Sequence, residues 1–208
     1  GLFTYRILSE SQDNLIKLSD YFKESQLGLI YPPILDDNLE PDSTIEKKYD
    51  FLFVGRLTDQ KNPKLFIDSF REASRYKQNI RGAIVGTGDL EQEVSLHASG
   101  LNIDILGSIG DEELHKIFLQ SEVFVMTSRY EGFGFVLVEA LAYDLKVVST
   151  DCPVGPREIL SNSRGILCKE DHNEIAKQML YSLKSNNKKE TKEFVKLFKS
   201  SNATESII

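Results

Sequence analysis

The chain has 208 residues, of which 40% are hydrophobic and 27% charged, and its net charge is −7. This composition is typical of a globular protein with room for one ordinary domain and extra elements, and the negative charge argues against a general nucleic-acid or membrane coat. No apolar run is long enough to span a bilayer, and Cys152 and Cys168 match neither a metal-ligand spacing nor a disulfide framework, so we expect a cytoplasmic protein.

Residues 1–48 are predicted to be the tail of a preceding domain and its linker. Apolar side chains have a helical spacing from Ser9 to Lys23, and a short strand is predicted from Leu27 to Tyr31, where two prolines stop it. The polar, acidic residues 35–48 have the composition of a linker. Because the chain begins without Met and shows no signal peptide, we expect it to be part of a longer protein.

Strand and helix patterns alternate from Tyr49 to Leu183. Strands are predicted at residues 51–54, 83–85, 103–106, 123–126, 146–149 and 165–168. Helices are predicted after Asn62-Pro63, before Gly100, and at residues 112–120, 135–143, 157–160 and 173–183, with caps at Asn62, Asp111 and Asp171. The C-terminal tail from 186 to 208 contains at most a Lys-rich amphipathic helix, at 186–200, and its last residues read as the truncated start of another.

This alternation, with strands that are uninterrupted apolar runs, predicts an α/β fold: a doubly wound parallel sheet with helices on both faces. Such sheets bind ligands at the carboxyl ends of their strands. The predicted strand ends carry Gly55-Arg56, Gly86-Thr87-Gly88, Gly107-Ser108 and a polar turn that leads to Glu131. Glycines let a ligand approach the backbone and Arg supplies positive charge, so the sequence predicts an anionic, nucleotide-like ligand at this edge.

The stretch from Ser128 to Asp144 has the most unusual composition of the chain. Its helix is apolar on all sides, which predicts burial, yet Glu139 lies in the middle of it. A buried carboxylate is costly unless it is paired, so Glu139 needs a partner from the protein or from a ligand. Gly132 and Gly134 precede the helix, whose N-terminus offers free N–H groups to an anion.

Three segments, in this order, resemble the donor-binding C-terminal domain of GT-B glycosyltransferases of family 4, the retaining nucleotide-sugar enzymes. Gly55-Arg56 with Lys61 resembles the G-R-x4-K segment of the family. The stretch from Glu131 to Glu139 resembles its E-x7-E motif, and residues 151–159, DCPVGPREI, resemble the turn and helix that follow the next strand. The resemblance covers residues 49–183, and residues 9–34 resemble the crossing segment from the acceptor domain.

The resemblance implies a role for each charged residue of these motifs. Arg56 and Lys61 would neutralise the donor diphosphate, which allows such enzymes to work without a metal or other cofactor. Glu139 would accept hydrogen bonds from the ribose hydroxyls, which would be the partner that its buried carboxylate needs. Glu131 would act at the donor sugar as the catalytic residue, holding hydroxyls beside the anomeric carbon.

The resemblance also implies backbone contacts with the donor. The N–H groups of Phe133, Gly134 and Phe135 would face phosphate or sugar, and the segment from Gly107 to Gly110 would contact the base around Ile109. Two features stay open on the sequence alone. A lone Gly86-Thr87-Gly88 is as consistent with a tight turn as with a ligand contact, and Glu158, at the start of a short helix, is more consistent with a cap than with a ligand.

The parent enzyme that the resemblance implies transfers a hexose or N-acetylhexosamine from a UDP-sugar to a glycan or lipid-linked acceptor. The pattern of residues 149–160 resembles bacterial enzymes of surface polysaccharide synthesis. Its partners would be the nucleotide sugar, an N-terminal acceptor domain absent from this chain, and peripherally the inner membrane face. The family commonly has a small-residue turn where this chain has Tyr143-Asp144-Leu145, and without the acceptor domain the chain is expected to transfer little or nothing.

Three alternatives differ in function class. A non-catalytic nucleotide-sugar binding module would keep the same four charged residues, Arg56, Lys61, Glu131 and Glu139. A sugar-nucleotide epimerase of GT-B shape would also have a two-domain site. A Rossmann-fold oxidoreductase would need G-x-G-x-x-G after the first strand of the sheet, but Gly55 is followed by Arg56-Leu57, so this fingerprint is absent.

Overall fold

The structure, a computed structural model, describes residues 6–42, 44–185 and 191–202. The chain opens with a small unit of strand β1 (Ile7–Ser9), helix α1 (Gln12–Ser19) and strand β2 (Leu27–Leu29), whose two strands pair in parallel. The helix predicted from Ser9 begins only at Gln12 because Ser9 belongs to β1 and the Ser11 hydroxyl caps the helix by accepting from the Asn14 N–H.

A six-stranded sheet forms the main body, and all of its strand pairs are parallel. Its strands are β3 (Tyr49–Val54), β4 (Gly82–Val85), β5 (Ile103–Gly107), β6 (Ser121–Met126), β7 (Lys146–Thr150) and β8 (Ile166–Cys168), in the spatial order β5-β4-β3-β6-β7-β8. The helices are α2 (Pro63–Tyr76), α3 (Glu91–His97), α4 (Asp111–Leu119), α5 (Phe135–Ala142), α6 (Pro156–Leu160), α7 (His172–Lys184) and α8 (Lys192–Lys196).

Alternate residues of the strands enter two apolar cores, one on each face of the sheet. Leu52 and Phe124 pack on the face covered by α4, α5 and α6. Phe53 and Val125 pack on the face covered by α2, α3 and α7. Because both faces are covered, the strands are continuous apolar runs, and the predicted doubly wound fold is confirmed.

The strand order places a crevice in the middle of the sheet. The chain steps outward from β3 to β4 and β5, then returns to the other side of β3 with β6. In doubly wound sheets this reversal leaves an opening at the carboxyl ends of the two central strands, where ligands bind. Here β3 leads into Gly55-Arg56 and β6 into Thr127–Glu131, so the charged residues singled out in the sequence meet at this point.

One of the three predicted helix caps is wrong, and a second has the predicted position but no capping bond. Asn62 occupies the cap position of α2 in a left-handed conformation, with a φ of +48°, and its side chain donates to Glu170 at 3.0 Å instead of capping. Gly110 precedes α4, so Asp111 is the first helical residue and acts there only as a negative charge at the N-terminus. Asp171 does cap α7, since its carboxylate accepts from the Glu174 N–H at 2.8 Å.

The C-terminal segment packs beside the residues that follow β2. The N–H groups of Ile34 and Leu35 both donate to the Phe198 carbonyl at 3.0 Å, and the Phe198 side chain is fully buried. Helix α8 supplies Val195 to the same core. Within the predicted tail helix, residues 186–190 lie outside the described residues, as do 203–208 of the predicted final helix. The described helices include none that is long and apolar enough to cross a bilayer.

Candidate functional site

Lys61 and Glu131 form a closely bonded ion pair at the crevice. The Lys61 ammonium lies 2.7 and 2.8 Å from the two carboxylate oxygens of Glu131, and the Ser128 hydroxyl donates to one of those oxygens at 2.5 Å. The side chain of Lys61 is 18% exposed and that of Glu131 only 5%. The lysine therefore covers a carboxylate that is otherwise shielded from solvent.

Hydrogen bonds between two loops bring this pair together. The Thr127 hydroxyl, directly after β6, lies 2.9 Å from the Asn62 carbonyl and 3.2 Å from the Lys61 carbonyl. The Arg129 N–H donates to the Gln60 carbonyl at 2.9 Å, and the Arg129 guanidinium lies 2.8 Å from Glu170. The loop after β3 is thus fixed to the loop after β6, and Arg129 is occupied in holding them.

Arg56 lies at the same edge of the sheet and differs from Lys61. It is exposed, and its guanidinium has no hydrogen bond or ion pair with the described part of the chain. The neighbouring Gly55 donates its N–H to the Val85 carbonyl at 3.0 Å, which fixes the start of the loop. The exposed guanidinium of Arg56 therefore leaves positive charge available at this edge for an anionic ligand.

The Gly86-Thr87-Gly88 turn supports the loop that carries Arg56. A Cβ at Gly86 would lie 2.0 Å from the Gly55 carbonyl oxygen, and one at Gly88 would lie 2.5 Å from the Leu57 carbonyl oxygen. The Leu57 N–H also donates to the Thr87 carbonyl at 2.9 Å. These glycines permit close packing of two loops, which supports the tight-turn interpretation left open on the sequence.

The segment from Gly132 to Phe135, here called the glycine loop, enters helix α5. Gly134 is its N-terminal flanking residue and has a φ of +93°, a conformation that favours glycine. No acceptor in the described residues takes the N–H groups of Phe133, Gly134 or Phe135, as predicted for an open helix N-terminus. The Phe133 side chain is buried, with ring centroids 5.8 Å from Tyr31 and 5.9 Å from Phe198.

Glu139 is partly buried on α5, and no described residue donates a hydrogen bond to its carboxylate. Burial, and after it the negative charge of Asp111, raises the pKa of Glu139. Nearby, Tyr143 is itself bonded to the His115 ring at 2.7 Å. The protein partner that the sequence allows for Glu139 is therefore not found among the described residues, and the ligand alternative stays a prediction.

We expect Glu139→Gln to stabilise the protein above about pH 5. A raised pKa means that folding favours the protonated acid, so the ionised carboxylate lowers stability at any pH above its unfolded pKa of about 4.3. The gain should disappear near pH 3, where the acid is protonated in both states. Urea unfolding at pH 3 and pH 7 measures it, with Glu46→Gln, which is exposed and outside any helix, as the control that should show no such difference.

The predicted base-binding segment lies at the end of β5. Gly107 has a φ of +65°, and a Cβ there would meet no atom within 4 Å. Its carbonyl accepts from the Gly86 N–H at 2.7 Å. Ile109 is half-buried and packs against the core that contains α5. The structure thus places Gly107 and Ile109 at the same edge of the sheet as the glycine loop.

Three contacts of the site were not predicted. One is the Ser128 hydroxyl on Glu131, for which a serine three residues before the glutamate is the only sequence signal. The others belong to Glu158, whose carboxylate accepts from the Gln12 N–H at 2.9 Å and from the Tyr31 hydroxyl at 2.5 Å. Glu158 therefore neither caps α6 nor faces the crevice; it fastens the N-terminal unit to the sheet.

Titratable clusters elsewhere do not suggest a metal centre. Across residues 6–42, 44–185 and 191–202, no group of three or more His, Cys, Asp or Glu side chains is arranged to hold a metal ion. Burial raises the pKa of the Cys152 thiol to about 11, so this cysteine beside the crevice is protonated and a poor nucleophile. The charge chemistry of the site lies in Arg56, Lys61, Glu131 and Glu139.

A parallel sheet in this order, with cations and carboxylates at its central crevice, defines a doubly wound α/β domain with an anion-binding edge. Comparison with known proteins makes the assignment more specific. The family model of the Glycosyl transferases group 1 matches residues 36–196. The chain belongs to this glycosyltransferase family.

The most similar relatives agree with the family. The chain is 31% identical over 182 residues to the uncharacterized glycosyltransferase MJ1059 of Methanocaldococcus jannaschii, covering 80% of this chain and 44% of that protein. It is 32% identical over 177 residues to the N-acetylgalactosamine-N,N'-diacetylbacillosaminyl-diphospho-undecaprenol 4-alpha-N-acetylgalactosaminyltransferase of Campylobacter jejuni, covering 80% and 47%. The chain spans about half the length of these curated relatives.

A solved structure supports the fold. The Anabaena protein HepE, in complex with UDP and glucose, superposes with a TM-score of 0.69 at 17% identity, over 98% of this chain and 59% of that one. At this identity the likeness concerns the fold alone. It extends to the small N-terminal unit as well as to the six-stranded sheet, since nearly the whole chain is covered.

Proposed function

We propose that this chain is the nucleotide-sugar donor domain of a retaining glycosyltransferase that acts in glycan or polysaccharide synthesis. The observation that carries the proposal is the arrangement at the crevice. One unpaired cation, Arg56, and one paired cation, Lys61, lie at the same edge as an open helix N-terminus and the unpartnered Glu139. A nucleoside diphosphate linked to a sugar presents the complementary groups in one molecule: two phosphates and a ribose.

Each part of the donor has a counterpart in the site. Arg56 and Lys61 bind the diphosphate, and they stabilise the charge that the leaving nucleotide gains as the glycosidic bond breaks. The N–H groups of the glycine loop add further donors for phosphate or sugar. Glu139 accepts from the ribose hydroxyls, and the backbone from Gly107 to Ile109 contacts the base.

Glu131 contacts the donor sugar. Its carboxylate accepts hydrogen bonds from donor hydroxyls and stabilises positive charge that develops at the anomeric carbon. In the structure Lys61 covers this carboxylate. When the diphosphate binds, the Lys61 ammonium interacts with a second anion, and its interaction with Glu131 becomes weaker.

The names of the relatives support a substrate class. HepE was solved with UDP, and the Campylobacter relative is named as an N-acetylgalactosaminyltransferase with a diphospho-undecaprenol compound in its name. We therefore propose a UDP-hexose or UDP-N-acetylhexosamine as donor and a glycan or lipid-linked acceptor. A lipid-linked acceptor would bring the protein to the cytoplasmic face of a membrane as a peripheral partner.

The acceptor site belongs, in this proposal, to another domain. The chain spans about half of its curated relatives, and residues 1–48 would be the tail of an N-terminal domain with its linker. The apolar side chains of the small N-terminal unit fit this role, since Ile16 is 68% exposed and Tyr21 82% exposed. Contact with the rest of that domain would cover them, and transfer would require both domains.

We expect UDP to bind this chain saturably and NAD not to bind. The reason is that the site offers diphosphate and ribose contacts but lacks the glycine fingerprint of dinucleotide-binding folds. Calorimetric titration with UDP, GDP and NAD measures this and reports the base preference. Arg56→Ala should weaken UDP binding by about tenfold, the loss of one charge-assisted hydrogen bond.

A matched control uses another arginine. Arg75→Ala removes the same charge from α2, where Arg75 is 68% exposed and paired with Glu72, so it should leave UDP affinity unchanged. Equal UDP affinity in the wild type and the Arg56 variant would contradict the assigned role. Preference for NAD over UDP would contradict the proposed function itself.

A further inference from the structure

The buried hydroxyl of Ser128 is a second, uncharged donor to Glu131 beside the Lys61 ammonium. Ser128 is 1% exposed, and its Oγ donates to a Glu131 oxygen at 2.5 Å. That same oxygen also accepts from Lys61 at 2.7 Å. The Glu131 carboxylate is thus held from two directions, by an ammonium on one loop and by a hydroxyl on its own loop.

The backbone around Ser128 is itself fixed on both sides. Its carbonyl accepts from the Thr150 hydroxyl at 2.6 Å, at the end of the neighbouring strand β7. The preceding Thr127 bonds across to the carbonyls of Lys61 and Asn62. A hydroxyl on such a backbone has little freedom to leave, whereas a lysine on a flexible four-carbon stem can turn to another anion.

This difference matters once a donor is bound. Under the proposed function Lys61 interacts with two anions, the Glu131 carboxylate and the donor diphosphate. When the ammonium turns toward the phosphates, the carboxylate keeps one protein donor whose geometry does not change, and that donor is Ser128. Precise placement of such a carboxylate beside a substrate is worth large factors in binding and rate.

We propose that Ser128 is the positioning residue for Glu131: it holds the carboxylate in place for the donor sugar while Lys61 engages the diphosphate. The inference rests on the proposed function and assigns one further residue to it. It predicts that the Ser128 hydroxyl contributes to binding of the donor sugar and not of the nucleotide, because it bonds to Glu131 and not to Lys61.

The test separates these two parts of the donor. Dissociation constants for UDP and for UDP-glucose, UDP-galactose and the two UDP-N-acetylhexosamines are measured on the wild-type chain, and the sugar that binds best is kept. Ser128→Ala should then weaken binding of that UDP-sugar about tenfold and change UDP binding less than about twofold. Glu131→Gln should likewise weaken binding of the UDP-sugar relative to UDP, and Ser128→Thr, which keeps the hydroxyl, should restore the affinity for the UDP-sugar.

Ser149→Ala is the matched control. Ser149 is fully buried on β7, and its hydroxyl donates to the Thr150 carbonyl at 2.8 Å, with no bond to Glu131. It should lower stability about as Ser128→Ala does but leave the ratio of UDP-sugar to UDP affinity unchanged.

Each other outcome overturns a defined part of the argument. Equal losses of UDP and UDP-sugar binding in Ser128→Ala, or no loss at all, would overturn the positioning role and leave the proposed function standing. A wild-type chain that binds UDP, but binds none of the UDP-sugars more tightly than UDP, would also overturn the positioning role and leave the proposed function standing. A wild-type chain that binds no UDP would overturn the proposed function, and this inference with it.

Discussion

Replacing Lys61 by methionine is expected to lower the free energy of unfolding by about 2–4 kcal/mol, because the change leaves a shielded carboxylate without its cation. The ammonium lies within 2.8 Å of both oxygens of Glu131, whose side chain is 5% exposed. Methionine keeps most of the length and apolar packing of the lysine stem, so the loss reports the charge. Urea unfolding followed by circular dichroism measures it.

The double variant Lys61→Met with Glu131→Gln provides the control. Removing the carboxylate's charge as well should recover most of the lost stability, since no buried ion then lacks a partner. Arg56→Met removes a cation that has no protein partner and should change the unfolding free energy by no more than about 0.5 kcal/mol. Equal stability of the single and double lysine variants would show that the loss does not come from the carboxylate left without its cation.

The same variants separate two kinds of cation at one site. Arg56 is exposed and available, so its removal should affect only ligand affinity. Lys61 is paired with Glu131, so its removal should affect both stability and ligand affinity. In such a site a diphosphate can bind to the free cation, Arg56. The same binding can change the surroundings of the Glu131 carboxylate, because Lys61 is paired with it.

Much of the fold could be predicted because it depends on local pattern. Apolar runs with the length of strands alternate with helical patterns, and strands covered on both faces require no alternation of polar residues. The edge of the site could also be predicted, since the carboxyl ends of parallel strands meet wherever the strand order reverses. Arg56, Lys61, Glu131 and Glu139 all lie on that edge or on the helix that leaves it.

Contacts between distant segments could not be predicted. The Tyr31 and Gln12 contacts of Glu158 join residues 127 and 146 positions apart, and nothing near Glu158 in the sequence indicates them. The bond between Lys61 and Glu131 depends on the paths of two loops and on side-chain rotamers. The two predicted caps differ for a similar reason: Asn62 takes the predicted cap position but its side chain bonds Glu170, and Gly110 instead of Asp111 occupies the cap position of α4.

Gly155→Ala is expected to destabilise the protein by about 3–5 kcal/mol, since it combines a backbone clash with a strained conformation. A Cβ at this position would lie 1.6 Å from the Phe133 carbonyl oxygen, and the φ of Gly155 is +93°. The clash cannot be relieved by a side-chain rotation, because the atom it meets is backbone of the glycine loop. Either the turn before α6 or the glycine loop must move.

Movement of the glycine loop would displace the site with it. The Glu131 N–H lies 3.4 Å from the Pro153 carbonyl, so the turn that contains Gly155 contacts the loop on both sides of Gly132. Gly132→Ala is the matched control on the same loop: a Cβ there meets no atom within 4 Å, and we expect a change in unfolding free energy of no more than about 0.5 kcal/mol. Urea unfolding compares the two variants, and a UDP titration of the folded fraction then shows whether the site has moved. If Gly155→Ala were as stable as Gly132→Ala, the close approach of the turn to Phe133 would not be a feature of the folded protein, and the position assigned to the glycine loop would have to be abandoned.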